Sequence, residues 1–188
     1  VAEKLYEYYS HQCEVRRVAF ADPIKKVVQH IFELDSQTPS QYDAFKRTTI
    51  SFKLRGFLSQ VGEISHPVEG RRVVREIGML MRGYDENQFV EYVSHQIIQH
   101  PNALWIVTDL RFDNELECMQ QMGACIVHVQ RGELVEDDSH ITERGFDSSV
   151  FDVVLNNSGS VDQLGPEIIN KLDNLIMRSI DETCSRNK

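Results

Sequence analysis

The 188-residue chain is 41% hydrophobic and 26% charged, enough apolar material to bury one substantial core, which excludes a disordered polymer and favours a single domain. Its net charge of −9 argues against nucleic acid or an anionic membrane as the main partner, because both reward an excess of Lys and Arg; an anionic ligand must therefore be met by a local cluster of positive charge. Four cysteines without a CxxC pair, and no apolar run near the roughly 20 residues that span a bilayer, fit a reducing, cytoplasmic setting. Cys118 and Cys125 lie in apolar-patterned segments and are expected to pack as small hydrophobes.

VAEKLYEYYS places Val1, Leu5, Tyr8 and Tyr9 on one helical face, which predicts an amphipathic helix already under way at the first residue. With no cap or strand ahead of it, Val1 reads as an interruption of a longer chain. Val15 to Phe20 (VRRVAF) suits a strand, after which Asp22 caps a helix with Pro23 in its first turn and Ile24, Val27, Val28 and Ile31 as its buried stripe. Residues 35–68 are expected to form an irregular or helical insertion. From Arg71, the spacing of Val73, Val74, Ile77, Leu80 and Met81 predicts a helix whose second face carries Arg71, Arg75 and Arg82.

Phe89 to Gln99 predicts another helix and Leu104 to Thr108 a central strand. Asp113 to Met122 then predicts a helix closed by Gly123, and Ala124 to Gln130 a strand related to the previous one by a right-handed parallel crossover. The polar stretch 131–147 is too long for a tight turn and reads as a functional loop. Phe151 to Leu155 is a last strand and NNSGS a turn. Val161 to Ile180 is a long helix with Ile168, Ile169, Leu172, Leu175 and Ile176 inward. Strand and helix alternate, which implies a three-layer α/β domain with a mostly parallel central sheet.

In such a sheet, ligands collect beyond the carboxyl ends of the strands. LWIVTDLRFDNE passes from an apolar strand directly into Asp109, Arg111 and Glu115. An apolar strand ending in Asp is how nucleotide-handling sheets hold Mg²⁺ beside a phosphate. The same residues also fit a turn-forming Asp and an Arg111–Glu115 surface ion pair worth about 0.3–0.5 kcal/mol. Arg71, Arg72, Arg75 and Arg82 are the densest basic patch, suited to phosphate by guanidinium geometry, or else a solvated face paired with Glu69 and Glu76. No histidine or cysteine spacing suggests a structural zinc site.

FADPIKK at 20–26, GRRVVREIG at 70–78, WIVTDLRFDNE at 105–115, MGACIVHVQR at 122–131, SHITE at 139–143 and VVLNNSGSVDQL at 153–164 together resemble the viral-type deoxynucleoside monophosphate kinases of the P-loop kinase superfamily. The likeness spans nearly the whole chain outside 35–68. It implies a P-loop kinase-like fold, ATP and Mg²⁺ as cofactors, and a nucleoside monophosphate as the bound partner, with a homodimer as a permitted assembly. It also implies site residues. Lys25, Arg71, Arg72, Phe89 and Glu115 would bind the acceptor nucleotide, while Asp109, Arg111 and Arg131 would serve the transfer, Asp109 also holding the metal. His140, Thr142 and Glu143 would belong to a lid, and Asn157 and Gly159 would receive the adenine of ATP.

The chain departs from that pattern in three places. Gly78-Met79 stands where the family commonly shows Gly-Thr, and Phe89 stands where a tryptophan is expected beside the acceptor base. The family begins with a strand and a GxxxxGK[ST]-type loop whose N–H groups cradle the donor phosphates. No such loop occurs in these 188 residues, and VAEKLYEYY matches the helix that follows it. The expectation is that the chain as it stands is inactive or nearly so, with about 15 to 20 further residues ahead of Val1, a strand plus loop at usual lengths. Two alternatives are another small-molecule kinase of the superfamily, of phosphomevalonate or dephospho-coenzyme A type, and a non-catalytic nucleotide-binding domain.

Overall fold

In the computed structural model, which describes residues 1–35, 39–53, 65–130, 146–157, 166 and 168–176, the short apolar runs pair as parallel strands and the 3.6-residue patterns form helices. The helices are α1 (Ala2–Tyr9), α2 (Asp22–Ile31), α3 (Pro39–Arg47), α4 (Gly70–Tyr84), α5 (Gln88–Gln99) and α6 (Asp113–Gln121). The strands are β1 (Val15–Val18), β2 (Thr49–Lys53), β3 (Ser65–Glu69), β4 (Leu104–Val107), β5 (Val127–Gln130) and β6 (Val153–Asn156). They fall into two compact units, Val1–Phe20 with Val90–Lys188, and Ala21–Phe89.

In the first unit β1 and β4 run parallel, Val15 opposite Leu104 through Val18 opposite Val107. β5 and β6 do the same, Val127 opposite Val153 through Gln130 opposite Asn156. One core serves both pairs. Leu5 and Tyr9 of α1 meet Val15, Leu155 and, from the helical residues 168–176, Ile168 and Leu172, with Leu104, Ile106, Val127 and Val153 packed against them. The buried Tyr9 hydroxyl donates to Asp173 Oδ1 at 2.9 Å and ties α1 to that helix. The described fold is α/β with short parallel sheets, as the alternation of patterns predicts.

The strand–helix–strand order through α6 is present, but β4 and β5 are not partners: β4 pairs with β1 and β5 with β6. Strand pairing joins residues distant in sequence, so local pattern alone does not encode it. Gly123 closes α6 with φ +74, a left-handed conformation that costs glycine no Cβ clash. The Gly123 N–H donates to Gln120 O and the Ala124 N–H to Met119 O, the paired bonds that satisfy carbonyls at a helix end. Cys125 is exposed, contrary to the expected packing, because it lies between that helix end and the start of β5.

In the second unit, residues 35–68 do not form the expected irregular or helical insertion throughout. α3 is followed by an antiparallel pair in which Thr49 faces Glu69 and Lys53 faces Ser65. Residues 54–64 lie outside the described residues. The cap of α2 is Ala21, not Asp22; Asp22 is the first helical residue and Pro23 follows it, where a missing N–H is harmless. Ile24 and Val28 are buried as expected, whereas Val27 and Ile31 are exposed, as is Leu80 on α4.

The buried stripe of α4 explains the Leu80 difference. It runs through Gly70, Val73 and Gly78, and glycine carries no apolar side chain to mark it in a hydrophobicity pattern. Both glycines mark close approaches. A Cβ on Gly70 would intrude on the Phe45 carbonyl, and one on Gly78 would lie 2.8 Å from Ile24 Cδ1.

Burial, reinforced by Asp173, pushes the Tyr9 phenol well above the ordinary tyrosine range. Burial, with Asp43 and Asp22 nearby, pushes Tyr42 up to about 12. A raised folded-state value means that the stability contributed is fully present below the ordinary value of about 10 and is lost as pH rises through the folded value. The urea midpoint of the full-length protein should therefore fall as pH rises above about 10. The Tyr9→Phe, Tyr42→Phe double variant should show a shallower decline, and equal slopes would contradict the assignment.

Candidate functional site

The strongest concentration of placed chemistry lies at the carboxyl ends of β1 and β4. Apolar residues through Val107 belong to the strand; the chain then leaves the sheet through the exposed Thr108 and the half-buried Asp109. Beside it β1 is followed by Ala19 and Phe20, which are 4% and 2% exposed. The Phe20 N–H, having no strand partner beyond the ladder, donates to Asp109 Oδ1 at 2.8 Å. Asp109 thus joins the exits of the two parallel strands.

Two residues on, Arg111 is exposed, and Phe112, in extended conformation at φ −120 and ψ 151, precedes the first turn of α6. Glu115 in that turn is 1% exposed and is the buried charged residue of the described chain. Its Oε2 accepts the Arg111 N–H at 2.9 Å and the Phe112 N–H at 3.2 Å. These are donors that a helix start leaves over, and a carboxylate at the third helical position also lies where the helix field favours negative charge. Glu115 is thus not a surface residue, and its Oε2 is turned onto the main chain. Sequence spacing put Asp109 and Arg111 at the carboxyl edge of the strand and Glu115 in the first turn of the next helix, as found. It missed Phe20, whose part is played by a main-chain N–H that no side-chain motif reveals.

In the unit Ala21–Phe89, Lys25 Nζ lies 2.8 Å from Asp22 Oδ1 in the first turn of α2. That pairing is legible in the DPIK spacing, three residues apart on one helix. Arg71 is exposed at the start of α4. Arg72 Nε lies 2.6 Å from Glu76 Oε1, with both side chains well exposed, so the pair itself contributes only a few tenths of a kcal/mol. Phe89 is fully buried, and the Arg82 guanidinium sits 4.8 Å from its ring centroid, within cation–π range. Arg82, read from sequence only as part of a basic stripe, is thereby held against a rigid ring.

Asn157 follows β6, its N–H donating to Gln130 O at 2.7 Å beside the end of β5. Arg131, His140, Thr142, Glu143 and Gly159 lie outside the described residues. Among the described residues no three or more His, Cys, Asp or Glu side chains gather to hold a metal ion. No described helix is long and apolar enough to cross a membrane.

Comparison with known proteins places this geometry in context. Residues 71–168 match the family model described as deoxynucleotide monophosphate kinase. An Enterobacteria phage T4 deoxynucleotide monophosphate kinase is 27% identical over 155 residues, covering 80% of this chain. The chain spans 60% of that relative's length. An Acanthamoeba polyphaga mimivirus protein provisionally described as a deoxynucleotide monophosphate kinase is 25% identical over 166 residues, 83% of this chain and 82% of its own length. The Escherichia phage RB69 deoxynucleotide monophosphate kinase is 39% identical over 64 residues, 34% of this chain and 26% of its own length. The span matched by the family model includes the whole Asp109–Glu115 turn.

Removing the Asp109 carboxylate leaves the Phe20 N–H buried without that acceptor, which costs about 1–3 kcal/mol. Asp109→Ala should lose stability on that scale in chemical denaturation, and Asp109→Asn, whose amide oxygen can still accept, should lose clearly less. Equal losses would contradict the clamp.

Proposed function

The chain belongs to the deoxynucleotide monophosphate kinase family, and from that premise we propose that the protein transfers the γ-phosphoryl group of ATP to a deoxynucleoside monophosphate, giving the diphosphate and ADP. A phosphate oxygen of the acceptor forms the new bond to the γ-phosphorus as the bond to the β–γ bridging oxygen breaks. That oxygen is already a nucleophile, so no general base is required. The work left to the chain is to position the reactants and to offset negative charge.

The observation that carries the reading is the Arg111 turn: an exposed arginine whose own main chain is fastened to a buried carboxylate. Guanidinium matches phosphate in a two-bond fork, and the buried anchor reduces the freedom the side chain must lose on binding. In this reading Arg111 meets the phosphate under transfer and Asp109 lies beside it. Lys25, Arg71 and Arg72 supply further acceptor contacts, and Phe89 acts through Arg82, which its ring supports. Arg131 in the lid offsets charge during transfer, with His140, Thr142 and Glu143 closing the lid. Asn157 and Gly159 receive the adenine of ATP.

Mg²⁺ fits this chemistry without a cluster of protein ligands. It is typically held by one or two carboxylates together with substrate phosphates and water, and Asp109 is the residue that would hold it. When bound, it neutralises charge on the phosphates. An acidic chain with local arginines suits a small phosphate ester better than a polyanion.

A coupled assay of ADP release by the full-length protein, with ATP, Mg²⁺ and a panel of nucleoside and deoxynucleoside monophosphates, tests the proposal. Turnover is expected with at least one deoxynucleotide. Arg111→Ala should lower kcat/KM for it by about 10²–10³, the scale of losing one charge-stabilising donor. Absence of turnover with every acceptor overturns it.

A further inference from the structure

Resting on the kinase reading above, we infer that Glu115 is a positioning residue: it acts through the main chain of Arg111 and Phe112 and never touches the acceptor. A side chain that is 1% exposed has no surface to offer a ligand. Its Oε2 is also turned onto the two main-chain N–H groups. A negative group in direct contact with a phosphate would repel it, whereas a carboxylate turned inward onto N–H donors has its charge met locally. Burying a charge is costly unless it is paired and hydrogen-bonded, and a neutral helix former would fill the same position without that cost. What the carboxylate adds is a fixed path for the chain between Asp109 and α6, and hence a fixed origin for the exposed Arg111 side chain.

Three measurements on the full-length protein separate this from a merely structural role. Glu115→Gln keeps the shape but replaces the carboxylate with a weaker acceptor. Glu117→Gln, an exposed neighbour on α6, is the control. For Glu115→Gln, kcat/KM for the deoxynucleotide should fall by about 10- to 100-fold, the scale of a misplaced reacting group, while the KM for ATP changes little. By calorimetric titration, the same substitution should weaken deoxynucleotide binding in the parent protein and have almost no further effect in an Arg111→Ala background, the non-additivity expected of residues that act as one unit.

If Glu115→Gln does not fold, Glu115→Asp, shorter by a methylene, is read in the same way. If the parent protein turns over a deoxynucleotide but Glu115→Gln changes only the melting temperature, or weakens binding equally in both backgrounds, the positioning role is overturned and the kinase reading stands. If the parent protein neither binds nor turns over any deoxynucleotide, both are overturned.

Discussion

Main-chain N–H groups left over where a strand ends must find acceptors, and at the carboxyl edge of β1 and β4 they find them in side-chain carboxylates. Phe20 donates to Asp109, and Arg111 and Phe112 donate to Glu115. A buried donor without a partner costs about 1–3 kcal/mol, so these bonds are a condition of the turn rather than an ornament on it. They fix how the chain leaves the sheet, where α6 begins, and from what point the Arg111 side chain projects.

In the proposed reading, the same bonds connect stability to recognition. An arginine on a loose loop would lose main-chain as well as side-chain freedom on gripping a phosphate; one whose main chain is already fastened loses less. The two carboxylates differ in exposure, and exposure separates their parts. Asp109 is half-buried and follows the end of β4, whereas Glu115 is enclosed. In the unit Ala21–Phe89 the arginines are supported differently, Arg72 by an exposed partner and Arg82 by a buried ring.

Most helices and most parallel strands were legible in the sequence, because apolar spacing is a local property. α1, α4, α5 and α6 lie where the periodicity puts them, with ends shifted by a residue or so, and Ile168 and Leu172 are inward as expected. What could not be read was non-local or silent. TISFK alternates polar and apolar residues over only five positions and SHPVE holds a proline, and neither names its antiparallel partner. The orientation of α4 depends on glycines 70 and 78, which register as gaps in an apolar stripe, and so Leu80 was expected to be buried when it is not. Residue types and spacing put Asp109 and Arg111 just beyond β4 and Glu115 in the first turn of the next helix, where they lie. Spacing could not tell a carboxylate that faces a ligand from one that faces the main chain, since only burial and hydrogen-bond direction distinguish them.

Amide hydrogen exchange at Phe20, Arg111 and Phe112 in the ligand-free full-length protein tests the central claim most directly. If the two carboxylates hold the turn, these three N–H groups should exchange about as slowly as the strand amides of β4, although they lie beyond the strand ends. Exchange at the rate of an open loop would contradict the account.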